Sequence, residues 1–120
     1  MSTRGYIAIQ FPDGICKGFY NHFDNYPEGT GLTLLSTPGC ATGDLDVIQK
    51  ALQNEEKDWV FTHMNWQDAR SEGERHGCDW FYLRKGDTWY CSCYYGDKLF
   101  LDPVAEVLVR DIRQQYEEDE

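Results

Sequence analysis

The spacing of apolar residues and turn signals predicts an α+β fold, a mainly antiparallel sheet of about five or six strands with two or three helices packed on one face. Three observations carry this expectation. Tyr6 to Phe11 and Ile15 to Phe23 are β-rich runs joined by the turn signal Pro12-Asp13-Gly14. Trp80 to Leu83 and Trp89 to Tyr95 flank the turn Arg84-Lys85-Gly86-Asp87, the strongest hairpin signal in the chain. Helical periodicity with N-terminal capping residues begins at Asp44 and again at Asp102-Pro103.

Taken in order, the first hairpin needs a larger sheet, because an isolated two-stranded ribbon is marginal in water. Glu28 to Leu35 predicts a short helix weakened by Gly29 and Gly31 and ended by Pro38-Gly39. From Asp44, the residues Leu45, Ile48 and Leu52 form an apolar stripe, with Gln49, Lys50, Gln53 and Asn54 expected to face water and the helix to stop near Glu56. Trp59 to Met64 has large side chains at successive positions, the pattern of a central strand buried on both sides. Gln67 to Gly77 is polar and contains two glycines, so it reads as a surface loop or a single irregular helical turn. Alternation in the second hairpin puts Trp89, Cys91, Cys93 and Tyr95 on one face and Tyr90, Ser92 and Tyr94 on the other. Leu99 to Leu101 predicts one more strand before Asp102 caps a helix that opens on Pro103, with Val104, Val107, Leu108 and Ile112 inward.

With 41% hydrophobic and 15% aromatic residues, the 120-residue chain is apolar enough to fold despite a formal charge of −10. Residues 1–116 are therefore expected to form one domain, followed by a frayed acidic tail over 117–120. No run of about 18 apolar residues is present, and Met1-Ser2-Thr3-Arg4 leads directly into a strand pattern, so neither membrane insertion nor a signal peptide is expected. The five cysteines, Cys16, Cys40, Cys78, Cys91 and Cys93, are odd in number and unevenly spaced, which suits reduced thiols in a cytoplasm. Twenty-one acidic residues against eleven basic ones oppose direct nucleic-acid binding. The same charge favours a partner with a basic surface, for example a protein that itself binds DNA or RNA, although solubility alone is the simpler account.

Thr3-Arg4-Gly5, the first hairpin and His22-x-Asp24-x-Tyr26-Pro27-Glu28-Gly29 together resemble a family of small phage and prophage proteins that carry a T-R-G or G-T-R start and an aromatic-rich W/F-D-x-Y-P-x-G segment. Phe23 stands here where that family often has tryptophan, and Asn25 where it usually has glycine. The resemblance covers about the first third of the chain. It implies a viral or mobile-element origin, which would place the protein in a host-cell cytoplasm, and it implies no particular chemistry.

Two readings of that segment follow from the residues. In one, Asp24, Pro27 and Glu28 organise a strand-to-helix turn, with His22 paired to a carboxylate. In the other, Arg4, His22, Asp24, Tyr26 and Glu28 form a binding site for a small anionic or nucleotide ligand. His76, Cys78, Cys91 and Cys93 are weak candidate metal ligands, because their spacing is not that of a zinc knuckle and their neighbours are apolar. No cofactor is expected. No cysteine has a local base signature, Ser36 and Ser71 lack a nucleophile-elbow context, and the glycines form no phosphate loop, so the sequence leans away from an enzyme. Tyr90, Tyr94 and Tyr95 are too many to bury in one small domain and are candidate interface residues.

The functional expectation is a phage-encoded anti-defence (anti-CRISPR-like) protein that inhibits a host protein through an acidic, tyrosine-rich surface. The alternatives are a nucleotide-type ligand domain that uses His22, Asp24 and Tyr26, and a viral structural or regulatory protein, for which a homodimer is possible.

Overall fold

The computed structural model describes residues 3–22, 25–52, 60–94 and 102–110. They form a six-stranded sheet with strand order β3-β2-β1-β4-β5-β6. The strands are β1 (Gly5–Gln10), β2 (Cys16–Asn21), β3 (Val60–His63), β4 (Trp80–Lys85), β5 (Thr88–Cys93) and β6 (Asp102–Pro103). Every neighbouring pair is antiparallel except β1 and β4, which run parallel with Gly5 opposite Trp80. The expected α+β class is therefore observed.

Each hairpin forms where the turn chemistry places it. Phe11 closes the first by donating to the Ile15 carbonyl at 2.9 Å, with Gly14 at φ 90°. A two-residue Gly86-Asp87 loop closes the second, and Gly86 takes φ 65°, a conformation that disfavours residues with a side chain. Each hairpin gains a third strand, β3 beside β2 and β6 beside β5, and each third strand is followed by a helix. The two meanders meet at the parallel β1/β4 pair.

The helices divide between the two faces of the sheet. On one face lie α1 (Leu32–Ser36), α2 (Leu45–Ala51) and a helix over 104–110, here α4, around Ile7, Ile9, Phe19, Tyr82, Trp89 and Cys91. These match the expected helices on one face. Asp44 caps α2 as anticipated, its side chain accepting from the amides of Asp46 and Val47. Gln49, expected in water, is buried at 3% exposure beside Ile48, whereas Asp46 and Lys50 face solvent.

The opposite face carries α3 (Trp66–Arg75), a ten-residue helix where a loop was expected. Its start is set by Asn65, whose side chain accepts from the Asp68 amide at 2.9 Å. Its end is a Schellman closure: Cys78 N–H donates to the Gly73 carbonyl, Gly77 N–H donates to the Glu74 carbonyl, and Gly77 takes φ 72°. The inward stripe is Trp66, Ala69, Arg70 and Gly73, at helical spacing, against a core of Tyr6, Ala8, Cys16, Phe81 and Leu83. Polar composition hid this helix because its buried face past Trp66 consists of Ala69, Arg70 and Gly73, none of them a large apolar side chain. A β-carbon on Gly73 would come within 2.8 Å of the Tyr6 Cβ, so only glycine lets the helix approach this closely.

Two further expectations are corrected. The Trp59–Met64 run yields β3 at the edge of the sheet rather than its centre, and Met64 beyond it is 77% exposed. Asp102 and Pro103 pair with Cys91 and Tyr90 as a short strand, and the helix begins at Val104. The expected strand over Leu99–Leu101 and the helix face at Ile112 lie outside the described residues.

Candidate functional site

Between β2 and α1 the chain makes a polar knot followed by a π-helical turn, Pro27–Gly31. Asn25, which has no exposed surface, holds the knot. Its amide donates to the Thr3 carbonyl at 2.8 Å and the Asn21 carbonyl at 2.9 Å, while its Oδ1 accepts from Asn21 Nδ2 at 3.1 Å. Tyr82 Oη donates to the Asn25 carbonyl at 2.6 Å, and burial raises the Tyr82 pKa well above the ordinary phenol range. Gly5 lies under the Asn25 side chain, so closely that a β-carbon there would overlap it. Thr3 and Gly5 of the T-R-G stretch and Asn25 of the second segment are thus two halves of one structural unit.

This unit accounts for how the expected ligand residues are placed. Pro27 is buried, and Tyr26, extended at φ −62° and ψ 153°, projects with 54% of its surface exposed. Glu28 is exposed in the first turn, and its charge acts on Tyr82, on the α2 face of the sheet. Arg4 and His22 belong to the opposite face. Arg4 charge acts on Tyr20 and Cys78, and its backbone is fixed through Asp79, the Arg4 N–H donating to Asp79 Oδ2 at 2.9 Å. His22 Nδ1 is 2.8 Å from Tyr20 Oη. The fold therefore brings Arg4 and His22 together around Tyr20 and separates them from Glu28, while Asp24 lies outside the described residues.

The α3 face gathers all three histidines of the chain. His63 Nε2 is 2.6 Å from Tyr6 Oη with the rings edge to face at 5.6 Å, and His76 Nε2 is 3.1 Å from Glu72 Oε1. Tyr20 lies between His22 and His76, with ring centroids 6.0 and 5.8 Å apart. Neither His63 nor Tyr6 stood out in the sequence, because their contact spans 57 residues and depends on where α3 lies.

Three of the cysteines are favoured as protonated thiols by their burial. Burial pushes the Cys16 thiol up to about 11 and the Cys78 thiol up to about 12, and it also raises Cys40. The weak metal candidates are split by the sheet: Cys78 packs on the α3 face, with His76 at the end of α3, whereas Cys91 packs on the α2 face. Among the described residues no group of three or more His, Cys, Asp or Glu side chains is placed to hold a metal ion.

Of the candidate interface tyrosines, Tyr94 turns inward. Its hydroxyl donates to the Arg70 carbonyl at 2.6 Å, and the Arg70 guanidinium sits 4.8 Å from its ring centroid, with Arg70 also donating to Ser92. Tyr90 is half-buried, and Tyr95 lies outside the described residues. Exposed large apolar side chains among the described residues are instead Phe11, Tyr26, Leu32, Met64 and Val109, of which Tyr26 and Leu32, 50% exposed, stand at the two ends of the π-helical turn. No helix among the described residues is long and apolar enough to cross a membrane.

Compared with models of known families, with curated proteins and with solved structures, the chain finds no match.

Proposed function

We propose that this chain is a non-catalytic binding protein of phage origin, an anti-defence (anti-CRISPR-like) inhibitor that occupies a basic surface of a host protein. The supporting observation is the π-helical turn, where Tyr26 and Leu32 stay more than half or half exposed while the backbone beneath them is held by buried Asn25 and Pro27. Exposed aromatic side chains on fixed backbone lose little entropy on binding, which is why tyrosine is common among interface anchors. Exposed Glu28 lies between them in sequence, and a net charge of −10 steers the protein toward positive surfaces. Phage origin rests on the resemblance of Thr3-Arg4-Gly5 and the His22–Gly29 segment to small phage proteins.

The test is plating efficiency of phage carrying the wild-type gene or the Tyr26→Ala/Leu32→Ala double variant, on hosts with and without their defence systems. Loss of plating only on the defended host, by a variant whose melting temperature is unchanged, is the expected result. Equal plating of the double variant, or of phage lacking the gene altogether, on defended hosts would overturn the proposal.

A further inference from the structure

The two edges of the sheet are built differently. The β6 edge is two residues long, includes Pro103, which has no N–H to offer, and runs straight into α4. The β3 edge, Val60–His63, has no proline, lysine or carboxylate, the residues by which exposed strands ordinarily avoid pairing with another chain. From Val60 to Met64 it carries large side chains at successive positions, the composition of an interior strand, yet β2 is its one neighbour in the sheet.

The surface beside this edge is open. Thr62 is exposed, and so is Lys17, its cross-strand partner on β2, so this corner of the α2 face is uncovered. Phe11, 37% exposed, continues the patch, with Lys17 Nζ 5.7 Å from its ring centroid, and Met64 beyond the end of β3 is the most exposed of the large apolar side chains. On the other face α3 rests mainly on β1 and β2, inboard of the edge.

We propose that β3 is a dimerisation edge: two copies of this chain pair β3 against β3, antiparallel about a two-fold axis, and join their six-stranded sheets into one in which β3 is interior. A second copy is the occupant that the edge itself specifies. Two antiparallel strands related by a two-fold axis offer each other the same alternation of N–H and C=O groups, so β3 is its own complement. Pro103 and the brevity of β6 close the other edge, so the pairing stops at two copies instead of growing into a filament. With no lysine, arginine or carboxylate on β3, the paired strands set no like charges opposite each other, although each copy carries −10. The pairing also resolves the mismatch between the interior composition of β3 and its place in the sheet. An edge of four residues buries less than the roughly 1,200–2,000 Å² of a standard interface, so the dimer is weak and depends on concentration. It uses different residues from the binding turn at Tyr26 and Leu32 and stands or falls separately from it.

Sedimentation of the full chain, with reductant present to exclude disulfide-linked species and about 0.3 M salt to screen the net charge, tests the edge. Between about 10 and 500 μM, a range suited to a weak interface, the average mass should rise from the monomer value toward twice that value. Thr62→Lys puts a gatekeeping charge at an exposed position in β3. It also makes the chain one unit less negative, which would promote any non-specific association. This variant is expected to weaken the dimer at least tenfold, and the Tyr26→Ala/Leu32→Ala variant to dimerise like the wild type. A wild-type chain that stays monomeric throughout, a dimer undiminished by Thr62→Lys, or a dimer lost in the Tyr26→Ala/Leu32→Ala variant would each overturn the proposal. If Thr62→Lys fails to fold, backbone hydrogen exchange of the wild-type chain at the two ends of the concentration range decides. Exchange at Val60–His63 slowed at least threefold at high concentration, with β6 unchanged, supports the β3 edge, and unchanged exchange there overturns it.

Discussion

Asn25 is hydrogen-bonded at a position with no solvent exposure, through its side chain to Thr3 and Asn21 and through its carbonyl to Tyr82. Removing the amide leaves two carbonyls and the Asn21 Nδ2 without that partner, and each buried group left unsatisfied costs roughly 1–3 kcal/mol. Asn25→Ala is therefore expected to lower unfolding free energy by about 3 kcal/mol or more, read as a fall in the urea midpoint at constant slope. A shift within about 0.5 kcal/mol would show that the knot contributes little. The same residue explains why the aromatic and charged side chains beside it read ambiguously in sequence: Asp24, Tyr26 and Glu28 are the conspicuous ones, and the uncharged Asn25 is the one that holds the backbone.

At the scale of elements, α3 is where composition and packing disagree. Replacing a mid-helix glycine by alanine ordinarily stabilises a helix by about 1 kcal/mol. At Gly73 the new methyl group would meet the Tyr94 hydroxyl and the Tyr6 Cβ, and the latter cannot swing aside because it is bound to the backbone of β1. Overpacking of this kind costs typically 1–3 kcal/mol, so the balance favours destabilisation. Gly73→Ala is expected to reduce stability by up to about 2 kcal/mol, as measured by denaturant unfolding. A stabilised variant would mean that α3 rests further from the sheet. The caps that begin and end this helix, Asn65 and Gly77, are ordinary signals visible in the sequence, but the apolar face between them is too small to show as a hydrophobic stripe.

For the whole molecule, the two-sided sheet buries thiols on both faces. Cys16, Cys40, Cys78 and Cys91 are at most 6% exposed, whereas Cys93 is only half-buried. Thiol titration of the native protein near pH 7.5 is expected to show Cys93 reacting in a fast phase, and the other four reacting at the rate of opening or unfolding. Rapid reaction of all five thiols without denaturant would contradict the two-layered core. The same arrangement separates the proposed binding turn from the histidine-bearing face, so a substitution at Tyr26 should leave α3 untouched.

Hydrophobic alternation and turn chemistry alone determined the class of this protein, both hairpins, the N-cap of α2 and the inward face at Val104, Val107 and Leu108, because each depends on neighbours within a few residues. Only the tertiary structure decided that Arg4 and His22 lie on one face and Glu28 acts on the other, that Tyr94 is turned inward, that β3 is an edge strand, and that His63 meets Tyr6. The Arg70–Tyr94 and Tyr6–His63 contacts join residues 24 and 57 positions apart in a sheet whose central β1/β4 pairing is parallel and non-local. Periodicity reports which face of its own element a residue occupies, and it carries no information about what the opposing element brings to that face.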